Sequence, residues 1–166
     1  MRLIKNSSIK WMWLSLLIII IDQLTKYYIN LEFELFQSVD IFPGLNIIHV
    51  HNTGAAFSFL SNAGGWQRWF FILISAGISV GLIIWIAFLN NTRVWLAVGL
   101  ALILGGAIGN LIDRVLLGYV IDFIDVYYNK WHWPAFNVAD SAISVGAVML
   151  IFDTFWLDRA EVGNHG

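Results

Sequence analysis

Residues 69–89 run without a single charged side chain. At about 1.5 Å of rise per residue such a run crosses the roughly 30 Å hydrocarbon core of a bilayer, which needs about 20 helical residues. Lipid offers no water to backbone N–H and C=O groups, so a spanning segment of this kind folds as a helix that satisfies them internally. Three more segments share its length, about 11–29, 94–112 and 136–157. The third span has no charge before Asp113, whereas the first carries Asp22 and the fourth carries Asp140 near its start and Asp153 near its end. Two spans are plain and two are functionalised. The expected fold is an all-α membrane protein, one integral domain over 1–166 with four transmembrane helices.

Composition supports that reading and closes several others. Of 166 residues 59% are hydrophobic and 12% charged, where a soluble domain carries about twice that charge fraction. A net charge of −2 with no basic stripe argues against a nucleic-acid partner. Without cysteine there is no disulfide framework, zinc–thiolate site or cysteine nucleophile. Arg2, Lys5 and Lys10 before the first apolar run invite a signal-peptide reading. That run meets Asp22-Gln-Leu-Thr-Lys26 where a small-residue cleavage site would stand, so an uncleaved first span is expected.

The connections differ in kind. Residues 90–93 (Asn-Asn-Thr-Arg) make a tight hairpin between spans two and three. Residues 31–66 contain Ile48-His49-Val50-His51, alternating with period two after a Pro43-Gly44 turn signal. This reads as a half-buried strand, and a small extracytoplasmic sheet between helices 1 and 2 is the economical picture. Residues 118–134, rich in Tyr and Trp, are expected to form an interfacial segment between helices 3 and 4. Residues 158–166 form a C-terminal tail.

Orientation is read from the basic residues. Arg2, Lys5, Lys10, Arg93 and Arg159 fall on one side, and Lys26, Arg68, Arg114 and Lys130 on the other. The crowding at the N-terminus places both termini in the cytoplasm and both long connections outside. Alternation of the spans then brings Asp22 and Lys26, Asn110, Asp113 and Arg114, Asn137 and Asp140, and Asp122 to one leaflet. A through-membrane path would need polar groups in both halves. This layout opens to one side.

Carboxylates at bilayer depth are costly and mark functional sites. Asp140, about one turn into the fourth helix, is either a carboxylate favoured by the helix dipole or a reactive group, and Asn137 is a candidate N-cap. Asp122 is drawn onto an apolar surface by Val120, Ile121, Phe123 and Ile124. Asp125 is its rival: on a helix the two share a face, on a strand they point oppositely. Asp22 and Lys26, four apart, are spaced for a structural ion pair, with Lys26 expected to snorkel toward the interface. Arg114 stands as a fixed cation for a lipid phosphate or a backbone carbonyl, or as an interface marker. His49 and His51 would share a strand face as half of a metal site, but no third ligand at a diagnostic spacing accompanies them. Asn52-Thr-Gly54-Ala-Ala-Phe-Ser reads as a tight turn at a close backbone approach, and Gly105 and Gly109 as a close helix-packing pair.

Together Asp22-Gln-Leu-Thr-Lys26, Asn52-Thr-Gly-Ala-Ala-Phe-Ser, Gly109-Asn-Leu-Ile-Asp-Arg114, Val120-Ile-Asp-Phe123 and Phe136-Asn-Val-Ala-Asp-Ser141 resemble the bacterial lipoprotein signal peptidases (signal peptidase II) over about residues 10–157. The resemblance implies an inner-membrane aspartyl endopeptidase acting on lipid-modified substrates near the periplasmic face. It would cut a prolipoprotein before its diacylglyceryl-modified cysteine. Carried over residue by residue, it implies a catalytic pair Asp122 and Asp140, substrate contacts from Asn52, Gly54, Asn110, Arg114 and Asn137, and structural polar roles for Asp22, Lys26 and Asp113. No metal or other cofactor is called for. The expected partners are the lipidated precursor and membrane lipid, and the expected state is a monomer. The competing class is a proton- or ion-coupled transporter using Asp22 and Asp140. Transporters tend to show repeated halves and midplane sites, and neither is visible here. A non-enzymatic lipid-binding or assembly factor is the other rival, one that would tolerate loss of Asp122 or Asp140.

Overall fold

A computed structural model of the chain describes residues 7–54 and 65–157. The turn motif beginning at Asn52 is therefore described only to Gly54. Arg2, Lys5, Arg159 and the tail 158–166 lie outside the described residues. Among the described residues four helices are long and apolar enough to cross a membrane. The spans are Ser8–Glu32, Trp66–Phe88, Val94–Leu116 and Val138–Phe155, built on α1 (Met12–Glu32), α2 (Trp66–Phe88), α3 (Val94–Leu116) and α4 (Val138–Phe152). A 3-10 turn (Ser8–Trp11) leads into α1 and a single π-turn (Asp153–Leu157) follows α4.

The helix limits depart from the hydropathy limits where polar groups decide them. α3 runs on past residue 112 because Asp113 is buried against partners on other elements. α4 begins only at Val138, because Asn137 is its N-cap and accepts from the Asp140 N–H at 2.9 Å. The reciprocal bond from the Asn137 N–H to Asp140 Oδ2 (3.4 Å) completes a capping box.

α3 is the central helix and packs against α1, α2 and α4. Leu96, Leu100 and Leu104 meet Leu82 and Ile86 of α2 in the buried core. Glycines set its other seams. A Cβ on Gly105 would lie 2.8 Å from Ile18 Cβ, and one on Gly109 would lie 2.6 Å from Asp22 Oδ2. The pair spaced four apart therefore faces α1, and its lack of side chains lets the two backbones approach. Leu24, Leu73, Phe88 and Val148 point outward, as expected where lipid replaces water.

The expected small sheet is present and is larger than its hairpin. β1 (Ser38–Phe42) and β2 (Leu45–Asn52) form the hairpin anticipated between helices 1 and 2, turning at Gly44 with φ +100°. The connection between helices 3 and 4 is more than an interfacial cover: it supplies β3 (Val120–Tyr128) and the short β4 (Trp131–His132) to the same antiparallel sheet, in the order β1-β2-β3-β4. Val50 pairs with Asp122 and Asn52 with Val120, after a register irregularity between Ile47 and Val50. Ile121 and Phe123 pack on Ile29, with Phe33 and Val138 beside them. That apolar seat fixes β3 over the end of α1 and the start of α4.

Candidate active site

Lys26 organises the polar end of the bundle. Its ammonium lies 2.8 Å from Asp22 Oδ2 and 2.9 Å from Asp113 Oδ2, with only 2% of the residue exposed. The ion pair four apart is present, but the snorkelling expected of Lys26 is not. Two carboxylates and an amide carbonyl inside the protein hold the ammonium more favourably than the interface would. Charges removed from water this way require close partners for each of them.

Each carboxylate of this cluster also reaches a second element. Asp22 Oδ1 accepts from the Ala139 N–H at 2.9 Å, in the first turn of α4, where a negative group is favoured by the helix dipole. Asp113 Oδ2 accepts from the Ile121 N–H on β3 at 3.2 Å. Gln23 joins them, donating to Asp113 Oδ1 at 2.8 Å and to Gly109 O at 3.2 Å. The cluster thus ties α1 and α3 to the elements that carry Asp140 and Asp122.

From Lys26 the network runs to both aspartates. Lys26 Nζ donates to Asn110 Oδ1 at 2.9 Å. A cation on that oxygen fixes the amide orientation, so Asn110 Nδ2 is free to donate to Asp140 Oδ1, at 2.7 Å. Asn137 Nδ2 donates to Asp122 Oδ1 at 2.7 Å while Asn137 Oδ1 caps Asp140. Asn52 Nδ2 donates to the other oxygen, Asp122 Oδ2, at 2.9 Å, and its own Oδ1 is held by the Gly54 N–H at 3.0 Å.

Asp122 and Asp140 face a common cavity of about 570 Å³ lined also by Asn52, Asn110 and Arg114. Burial, followed by the nearby negative charge of Asp140, pushes the Asp122 carboxyl up to about 7, against the opposing bonds from Asn52 and Asn137. Arg114 Nη2 donates to Gly54 O at 3.0 Å and its guanidinium lies over the Phe71 ring. It is held as a backbone-carbonyl partner beside the cavity.

Not every residue expected to meet substrate reaches the cavity. Asn137 is fully buried, behind the two aspartates it holds, and Gly54 is engaged through its backbone rather than along the cavity wall. Other residues line the cavity without having been expected there. They include Trp133 and Pro134 of the Tyr- and Trp-rich connection, Phe136 and Ser141 of the motif around Asp140, and Ala135, Ile143, Ser144 and Val145. Gln23 is visible in the sequence only as part of the Asp22–Lys26 motif. Asp125, the rival of Asp122, stands three positions along the same strand, so it leaves the opposite face and bonds to Asn46 and His132. His49 Nδ1 donates to Phe33 O (2.9 Å) and its Nε2 meets His51 Nε2 at 3.2 Å, and neither histidine lines the cavity.

A family profile described as signal peptidase (SPase) II matches residues 14–156. This chain belongs to that family. A lipoprotein signal peptidase of Pseudomonas fluorescens is 53% identical over 149 residues, 89% of this chain and 88% of its own length. Another, from Shewanella sp. strain MR-4, is 48% identical over 158 residues, 95% and 92% of the two chains. A solved bacterial membrane enzyme, determined by the in meso method at 2.3 Å resolution, superposes with a TM-score of 0.78 at 33% identity, over 88% of this chain and 90% of that one. As a signal peptidase II family member with four candidate spans, the chain is a membrane protease of the bacterial membrane.

Proposed function

We propose that this signal peptidase II removes the signal peptide from diacylglyceryl-modified prolipoproteins as an aspartyl endopeptidase, cutting immediately before the lipidated cysteine. The observation that carries the reading is the pair Asp122 and Asp140 opening on one cavity, with Asp122 pushed up to about 7. Two carboxyl groups facing one cavity under these conditions share a single proton near neutral pH.

The reaction needs no more than that pair and water. The ionised carboxylate takes a proton from water, whose oxygen attacks the scissile carbonyl carbon. The protonated partner hydrogen-bonds the carbonyl oxygen and delivers its proton as the tetrahedral intermediate forms. Collapse breaks the C–N bond: the proton held by the first carboxyl passes to the departing amine, and one hydroxyl of the intermediate returns its proton to the second carboxylate as the product carboxyl forms. Asn52 and Asn110, already aimed at the two aspartates, hold their oxygens in place. Preorganised donors of this kind stabilise charge that develops in the transition state.

The cavity lies at the end of the bundle where the polar residues of α1, α3 and α4 meet the sheet, which suits a substrate anchored in lipid. In this reading that end faces the periplasm, both termini lie in the cytoplasm, and the enzyme works as a monomer in the inner membrane. Mass spectrometry of the products from a purified diacylglyceryl precursor tests it. The expected larger product begins at the lipidated cysteine; cleavage at another bond, or none, overturns the proposal.

A further inference from the structure

Asp125 is buried, 7% exposed, and does not line the cavity. Its two oxygens accept from His132 Nδ1 at 2.9 and 3.0 Å, and Oδ2 also accepts from Asn46 Nδ2 at 3.0 Å. A carboxylate offers only lone pairs here, so His132 carries its hydrogen on Nδ1 whatever the state of Nε2. The ring also stacks on Tyr127, with centroids 5.2 Å apart. Both Asp125 oxygens and the Tyr127 ring, all from β3, thus fix a histidine that is itself half exposed, while Asn46 of β2 holds Asp125 in turn.

The clasp gains its significance from the segment directly C-terminal to His132. Trp133, Pro134, Ala135 and Phe136 come next, and all four line the cavity that holds Asp122 and Asp140. Backbone bonds attach this segment to β3 near its ends: Trp133 N–H donates to Val126 O at 2.8 Å, Phe136 N–H donates to Ile124 O at 3.1 Å, and Phe136 O accepts from the Phe123 and Ile124 N–H groups at 3.0 and 2.8 Å. Pro134 has no N–H to contribute. β4 itself is two residues long, too short to hold a wall by its ladder alone.

We propose that Asp125 and His132 are positioning residues for substrate: their bond sets the Trp133–Pro134–Ala135–Phe136 wall against which the apolar part of the lipid-modified precursor packs. The inference rests on the cavity being the protease site. It assigns Asp125 a role in binding and none in proton transfer.

The test is steady-state cleavage of a diacylglyceryl precursor by the purified full-length enzyme, comparing wild type with His132→Ala, His132→Asn, His132→Gln, Asp125→Asn and Asp140→Asn. An Asn side chain places its amide N–H where His Nδ1 stands, whereas Gln places it at the Nε2 position. With one charge-assisted bond lost at a half-exposed site, His132→Ala and His132→Gln are expected to raise KM about three- to tenfold with kcat within about twofold of wild type. His132→Asn is expected to restore KM, and Asp125→Asn to raise it. A merely structural histidine would lower the thermal midpoint without separating KM from kcat or Asn from Gln.

Unchanged KM in both His132→Ala and His132→Gln overturns the proposal, and so does a fall in kcat alone. If His132→Ala does not fold, His132→Gln gives the same reading. Asp140→Asn separates the two levels. Retained cleavage in that variant removes the aspartyl reading itself, whereas its loss beside an unaffected His132→Ala removes only the clasp.

Discussion

Asp122 sits between opposing influences, and its chemistry depends on which prevails. Burial and the Asp140 charge hold its proton on, while Asn52 and Asn137 favour the ionised form, and the balance lies at about 7. A reaction that needs one proton on the pair loses it as pH rises through that value. We therefore expect kcat/KM to fall on the alkaline side with an apparent pKa near 7, a value that belongs to the pair rather than to one residue. A pH–rate profile on wild type checks this, and a rate still flat at pH 9 would contradict it. At this scale the motifs around both aspartates were legible, because a carboxylate among apolar neighbours is conspicuous. The fate of Lys26 was not. An i, i+4 spacing records only the local partner Asp22, whereas Asp113 and Asn110, which bury the ammonium, come from another helix.

Among the elements, the four spans were readable because lipid imposes length and apolarity directly. β2 was readable from its alternation. β3 is not legible as a strand, since residues 120–123 are all buried and the period-two signal disappears when both faces are covered. Its Tyr and Trp neighbours also pointed to an interface. The seam between α1 and α3 offers a test at this level. Gly109→Ala would set a methyl group about 2.6 Å from Asp22 Oδ2, a carboxylate held by Lys26 and the Ala139 N–H. Removing one partner of a buried ion pair costs about 3–5 kcal/mol, and displacing Asp22 forfeits part of that. The variant is therefore expected to unfold at a markedly lower temperature and to lose activity with it. A thermal midpoint within about 1 °C of wild type would show that Asp22 shifts freely, contrary to this packing.

For the whole molecule, the site opposes stability in a pH-dependent way. The native state retains on Asp122 a proton that the unfolded chain releases from about 4 upward, since the ordinary carboxyl value is 3.8 and the folded one about 7. The stability contributed by this group is complete below pH 3.8 and is lost as pH rises to about 7. Asp122→Asn cannot ionise and escapes that loss. Its thermal midpoint relative to wild type should climb between about pH 4 and 7 and level off above, as read by thermal unfolding in detergent. A constant difference across that range would mean that Asp122 is not perturbed in the folded protein.

Asp122 and Asp140, and not Asp125, are proposed to perform the chemistry. The most direct measurement is kcat for diacylglyceryl precursor cleavage by Asp122→Asn, Asp140→Asn and Asp125→Asn, each purified and shown to be folded. The first two are predicted to fall by at least about a thousandfold, while Asp125→Asn keeps kcat within about twofold of wild type. Substantial turnover in either of the first two, or its loss in Asp125→Asn with the fold intact, would overturn the assignment of Asp122 and Asp140.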